Sequence, residues 1–182
     1  MIFKTKDGAS FGEGSWIETV GWDSDKTEAN QIGNLQNAID PTTMPVTLVP
    51  TSFDSSNNIT GFILESPNEA LTKEGAVGWT LRQAGNNDNN PFPSFINKTI
   101  NDVFFFKNRL GFLTDSNVIF SEADEYYNFF RTTTQQLLDS APIDVGLSHT
   151  KVARLQYAKA FQEKLMLFSD SSQDRDWETT AV

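Results

Sequence analysis

The chain offers a single imidazole for chemistry, His149, and it directly follows Ser148. A serine hydrolase needs a nucleophile, a base and an orienting carboxylate that converge in space. Neighbouring residues of an extended strand point to opposite faces, so His149 cannot activate Ser148. No G-x-S-x-G turn presents another serine in the way a hydrolase would. The expectation for His149 and Thr150 is a strand end whose polar groups bond neighbouring backbone.

Carboxylates are the next resource. Glu122, Asp124 and Glu125 fall together in SEADEYY. A glycosidase pair must flank a sugar at roughly 5–10 Å, and one loop supplies one member of such a pair rather than both. Asp23 and Asp25 in DSDKTEAN lack the glycine and closing glutamate of a calcium loop and read as a solvated turn. There is no cysteine, which excludes disulfides, thiolate zinc sites and thiol nucleophiles. No glycine-rich phosphate loop is present. The sequence therefore predicts no catalytic residue, no cofactor and no metal.

Two cations, Lys107 and Arg109, sit within a run that holds Phe104, Phe105, Phe106, Phe112 and Phe120. A planar guanidinium can stack on an aromatic ring while bonding carbonyls or a carboxylate. Arg109 is expected to staple a turn, with Asp102, Asp115 or Asp124 as partners. Further on, Tyr126 and Tyr127 are interface candidates, because aromatics are enriched at interfaces. Phe129 and Phe130 read as core, with Asn128 and Arg131 as their turn and edge partners.

The elements that must position these residues are short strands. SWIETVGW alternates between two unlike faces. TMPVTLVPTS is extended because Pro45 and Pro50 bias the residues before them, and NNITGFILES reads as a turn and strand. AVGWTLRQAG reads as a third strand, and NQIGNLQNAI as a short helix. NNDNNPFPSF is a loop and the best boundary, at about Gly85 to Ser94. DVFFFKN, LGFLTD and VIFSEA follow as strands, with turns at Asn108-Arg109 and Asp115-Ser116-Asn117. Phe104 and Phe106 lie on one face of the first of these, and Val103 and Phe105 on the other, which predicts that both faces are covered. RTTTQQ opens on a possible helical turn. Strands are expected at Ile143 to Leu147, at VARLQYAKAF with a kink, and at KLMLFSDS. The fold class is all-β with antiparallel strands, a sandwich or propeller blade.

Charge narrows the partners. The formal net charge is −10, with 12 acidic against 5 basic residues up to Asn90 and 12 against 9 after it. Such a surface does not grip nucleic acid, although nucleic acid can slide past it without adhering. No apolar run approaches the roughly 20 residues of a membrane helix, and no signal peptide opens the chain. A soluble protein or part of a soluble assembly is expected.

The order of motifs resembles the tail tubular protein B family, the tail nozzle of short-tailed podoviruses. The resemblance rests on NPFPSF (Asn90 to Phe95), NRLGFL (Asn108 to Leu113), VIFS (Val118 to Ser121) and NFFR (Asn128 to Arg131). The stretch from Asp139 to Val152, with its PID and SHTKV, and QEKLMLFSD (Gln162 to Asp170) continue it. Upstream, FGEGSWIETVG resembles a W-ET-G strand of that family. AIDPTTMPVTLV resembles its TMPH-LV segment, with Val46 where a histidine is usual. The matches run from Phe3 to Gln173, and residues 174–182 depart from the pattern. The family protein is several times longer, so this chain resembles an internal piece of it.

The resemblance implies a partial β-propeller over residues 86–173, preceded by a β-rich platform-like region over 1–85. It implies a homo-oligomeric ring, a hexamer, in the virion tail, assembled in the bacterial host cytoplasm. Implied partners are the upstream tail tubular adaptor protein and the tail fibres, with viral DNA passing without specific binding and no membrane insertion. The ring would conduct the genome into the host. The structural and interaction candidates are then Arg109, Tyr126, Tyr127, Asn128, Phe129, Phe130, Arg131 and His149. The alternative function is a tail-associated carbohydrate-binding or polysaccharide-degrading β-propeller.

Overall fold

Aromatic and branched residues in short alternating runs, cut by Asn, Asp and Gly, dictate strands joined by tight turns. A computed structural model describes residues 2–6, 12–21, 38–65, 78–147, 154–170 and 180–181. Within them lie β1 (Ile2–Thr5), β2 (Gly14–Ile17), β3 (Thr47–Phe53), β4 (Ile59–Glu65), β5 (Asp102–Phe106) and β6 (Arg109–Thr114). Then come β7 (Asn117–Phe120), β8 (Ile143–Gly146), β9 (Arg154–Phe161), β10 (Lys164–Asp170) and β11 (Thr180–Ala181). A single 3-10 turn, Pro41–Thr43, is the helical element among the described residues. Every strand pair is antiparallel, so the all-β expectation holds. The pairs form the ribbons β1-β2 and β3-β4, the sheet β11-β10-β9, and the meander β5-β6-β7-β8.

The meander separates two cores. Leu110 and Phe112 of β6 and Ile119 of β7 enter a cluster with Ile39, Met44, Trp79, Phe95, Phe129 and Phe130. Leu113, Val118 and Phe120, on the opposite face, join Leu155, Ala158, Leu165 and Leu167 of the β9-β10 pair. Central strands buried on both faces lose the alternation that marks a half-exposed strand. Three aromatic rings hold the first core together: Phe112 stacks on Phe129 at 5.2 Å, and Phe95 meets both edge-on.

Several expectations are corrected. The face of β5 that carries Val103 and Phe105 is open, because β5 is an edge strand and the first core stops at its β6 neighbours. Of the two cations in that run, Lys107 is exposed and Arg109 half-buried. The first hairpin turn is Lys107-Asn108 rather than Asn108-Arg109. Both turn residues take positive φ, at 47° and 57°, as a two-residue turn that follows strand twist requires. Residues 78–83 are not a strand but an irregular segment that crosses the first core, and residues 131–136 hold no helical turn. The kink expected in β9 is a bulge: Phe168 pairs Tyr157 while Ser169 pairs Leu155, leaving Gln156 extra. His149, the Asp23–Asp25 turn and residues 30–37 of the expected helix lie outside the described residues.

Candidate interaction site

Arg109 begins β6, and its guanidinium lies across the end of the meander. Nη1 donates to the carbonyls of Ser121 and Ala141, each at 2.7 Å, and Nη2 to that of Asp139 at 2.8 Å. The staple is present, but its acceptors are backbone carbonyls rather than Asp102, Asp115 or Asp124. Two of those carboxylates are engaged elsewhere. Asp102 accepts from the Ala158 N–H at 2.8 Å, bridging the β5 and β9 edges, and Asp115 lies 3.8 Å from Lys98. Asp124 meets the hairpin through its backbone, its N–H donating to Asn108 at 2.8 Å.

The loop from Ser121 to Arg131 is tied down residue by residue. Glu122, half-buried, accepts from Asn128 Nδ2, from the Thr132 hydroxyl and from the Ser140 hydroxyl. A carboxylate surrounded by three neutral donors of its own chain is a cross-link, not an acid poised for a sugar. Asn128 also caps Phe130, accepting its N–H at 3.0 Å. Phe129 and Phe130 lie in the first core, so neither faces a partner. Tyr127 packs edge-on against Trp79 at 5.1 Å and is half-buried. Of the expected interface pair, Tyr126 is the one that projects outward. The Arg131 side chain is exposed while its backbone is pinned.

That pin comes from a residue the sequence reading passed over. Asn90, fully buried, donates through Nδ2 to the carbonyls of Ala84 and Arg131, and its Oδ1 accepts the Arg131 N–H at 2.9 Å. Its amide thus pairs with the Arg131 backbone as a neighbouring strand would, from 41 residues away. Beside it Arg82, 1 % exposed, lies 4.8 Å over the Phe92 ring and faces Phe130 at 6.0 Å. Its Nη1 donates to Asn87 Oδ1 and to the Asn90 carbonyl. Burial pushes the Arg82 pKa below its ordinary value. The NPFPSF and NFFR motifs are therefore two halves of one joint. Arg82 and Asn90 bracket QAGNNDN, which reads only as a loop, so nothing local in the sequence pointed to the joint.

Two more carboxylates act as joints. Glu18 accepts from the Thr133 hydroxyl at 2.6 Å, from the Thr134 N–H at 2.8 Å and from the Thr134 hydroxyl. Desolvation opposes its charge, yet those bonds outweigh it and hold the carboxyl below the ordinary range. Asp144 of β8 accepts from Ser94 N–H and hydroxyl, both at 2.7 Å, tying the meander to the NPFPSF loop.

An aromatic-rimmed groove also lies open. Phe105 and Tyr157 are each 65 % exposed and line a groove of about 560 Å³ between β5 and β9, together with Val103, Ala158, Lys159 and Phe168. Tyr126 meets Phe105 edge-on at 5.5 Å and extends the aromatic rim. Among the described residues no group of three His, Asp or Glu could hold a metal ion, and no helix is long and apolar enough to cross a membrane. The groove offers contact area, most of it from Val103, Phe105 and Tyr157.

Residues 3–176 match the family described as bacteriophage nozzle protein. The chain is also similar to the tail tubular protein gp12 of Escherichia phage T7, with 37 % identity over 158 residues. That alignment covers 87 % of this chain and 16 % of the relative, so the chain spans about a sixth of the length of the protein it matches.

Proposed function

The chain belongs to the bacteriophage nozzle protein family, and from that premise we propose that it is a structural part of a phage tail, not an enzyme. One observation carries this reading: polar side chains of the 82–144 region, from buried Asn90 to exposed Asp144, are spent on joining loops to strands. Arg109 holds three carbonyls, Asn90 makes three bonds, Glu122 gathers Asn128, Thr132 and Ser140 along its own loop, and Asp144 accepts from Ser94, 50 residues away. A wall that must keep its shape while cargo passes has use for such joints. A catalytic site would instead leave a group free to react.

The finer reading follows the family. The protein sits in the virion tail, assembled in the host cytoplasm. It forms a homo-oligomeric ring, a hexamer, docked to an upstream tubular adaptor and to the tail fibres. The ring conducts the genome, and an excess of acid, −10 over this chain, keeps phosphate from adhering to the wall. The four-stranded antiparallel meander β5-β6-β7-β8 has the form of one propeller blade and supports residues 86–173 as blade material, with 1–85 as a platform-like region. Tyr126, with Phe105 and Tyr157, is the exposed aromatic rim available to neighbours.

The test is the solution mass of the full-length protein by light scattering, alone and with the purified upstream tube protein. A closed ring, or a monomer that joins the tube to form one, is expected. A monomer indifferent to the tube at all concentrations would overturn the reading.

A further inference from the structure

The β3-β4 hairpin carries an apolar face that the described chain leaves uncovered. Leu48 pairs Leu64 and Pro50 pairs Phe62, so these four side chains share one face, and Val46 continues the same alternation. Leu48, Phe62 and Leu64 are 57 %, 56 % and 65 % exposed. Thr47 and Val49, which alternate with them, are only half-exposed. Among the described residues no other strand makes more than marginal contact with this hairpin. A two-stranded ribbon on its own is marginal in water, and an open apolar face of this kind marks a contact surface.

Charge identifies the occupant. From Pro41 to Leu64 the only charged residue is Asp54. Asp54 is held at the hairpin tip, where it accepts from the Ser56 and Asn58 N–H groups and from Asn58 Nδ2. Two copies of a chain carrying −10 repel wherever their acidic surfaces approach. They can meet without that penalty on a charge-free face. The exposed area of these side chains, with Phe53 and Ile59 nearby, is on the order of several hundred Å², approaching the ~800 Å² per partner of a specific interface. Pro50 has no N–H to give an added strand, which favours packing of faces over extension of the sheet edge.

We propose that the Leu48–Phe62–Leu64 face of the β3-β4 hairpin docks against a second copy of this chain, forming a contact between neighbouring subunits. The proposal rests on the ring reading above and names where its subunits touch.

The experiment uses the full-length protein with a photo-crosslinking phenylalanine at Phe62, prepared as a mixture of isotopically heavy and light copies. Light scattering of the unmodified protein is run first. Covalent products of doubled mass, joining heavy to light peptides through position 62, are expected. Leu64→Asp should weaken self-association at least about tenfold, as loss of an interface anchor does. An oligomer whose position 62 links only within its own chain, or only to the tube protein when that is added, overturns this contact while leaving the ring reading intact. A monomer at every concentration overturns both.

Discussion

The ring of Phe104 fills the space above Gly111, its partner across the β5-β6 pair, so that a Cβ at position 111 would overlap the ring. Phe104 cannot easily yield, because it also meets Phe120 edge-on at 5.5 Å and 90°. The glycine is needed for the packing of a neighbour, not for its own backbone angles.

Gly111→Ala should therefore overpack the second core and cost about 1–3 kcal/mol. The check is the melting temperature of the full-length protein. Phe104→Ala placed on top should recover part of the loss, since the two changes act on one contact. An unchanged melt for Gly111→Ala would show that the ring moves aside freely.

Asn90→Ala should be among the most damaging single changes. It strands the Arg131 N–H and two carbonyls in a buried site, at roughly 2–4 kcal/mol. Asn90→Asp should be no better at neutral pH, because a carboxylate cannot donate to the Ala84 and Arg131 carbonyls it would face. Chemical denaturation of the full-length variants would decide. Loss of less than about 1 kcal/mol for both would mean that the joint carries little.

How far the sequence revealed this design depends on range. The strands were legible because Phe, Val, Ile and Leu alternate between Asn, Asp and Gly turns, and those signals act over a few residues. Phe129 and Phe130 were recognisable as core from Asn128 and Arg131, the polar turn and edge residues on either side of them. The open face of Val103 and Phe105 was not, because alternation reports which residues share a face and not whether anything covers it. The joints were hidden for a further reason. Asn90 reaches Arg131, and Glu18 reaches Thr133 and Thr134 more than a hundred residues away. Arg109 was recognisable as a staple, yet its carbonyl acceptors belong to a loop whose path only the fold determines.

The Glu18 joint predicts an acid-sensitive stability. Its pKa is lower in the folded protein than in the unfolded chain, so the fold favours the ionised form. That contribution is fully present above the ordinary carboxylate range and is lost as pH falls through the lowered folded value. Glu18→Gln should lower the melting temperature at neutral pH, and the gap to the unmodified protein should close as pH drops through that window. A gap that is constant with pH would show that the charge of Glu18 is not what holds Thr133 and Thr134.

The 182-residue chain in isolation should not behave as a compact two-state domain. Its uncovered surfaces are not scattered but gathered: the β3-β4 face, the groove lined by Phe105 and Tyr157, and the outer edge of β5. Open strand edges and contiguous apolar faces recruit other chains, and a hairpin without a packing partner gains little from forming. The expected behaviour is concentration-dependent aggregation, or binding of a hydrophobic dye with strand-type far-ultraviolet dichroism and a broad melt. A sharp, cooperative melt of a monomer would overturn this expectation and show that the two cores, tied by the Asn90, Arg109 and Glu122 joints, suffice on their own. The exposed faces would then have to be read as surfaces that tolerate water rather than surfaces that require a neighbour.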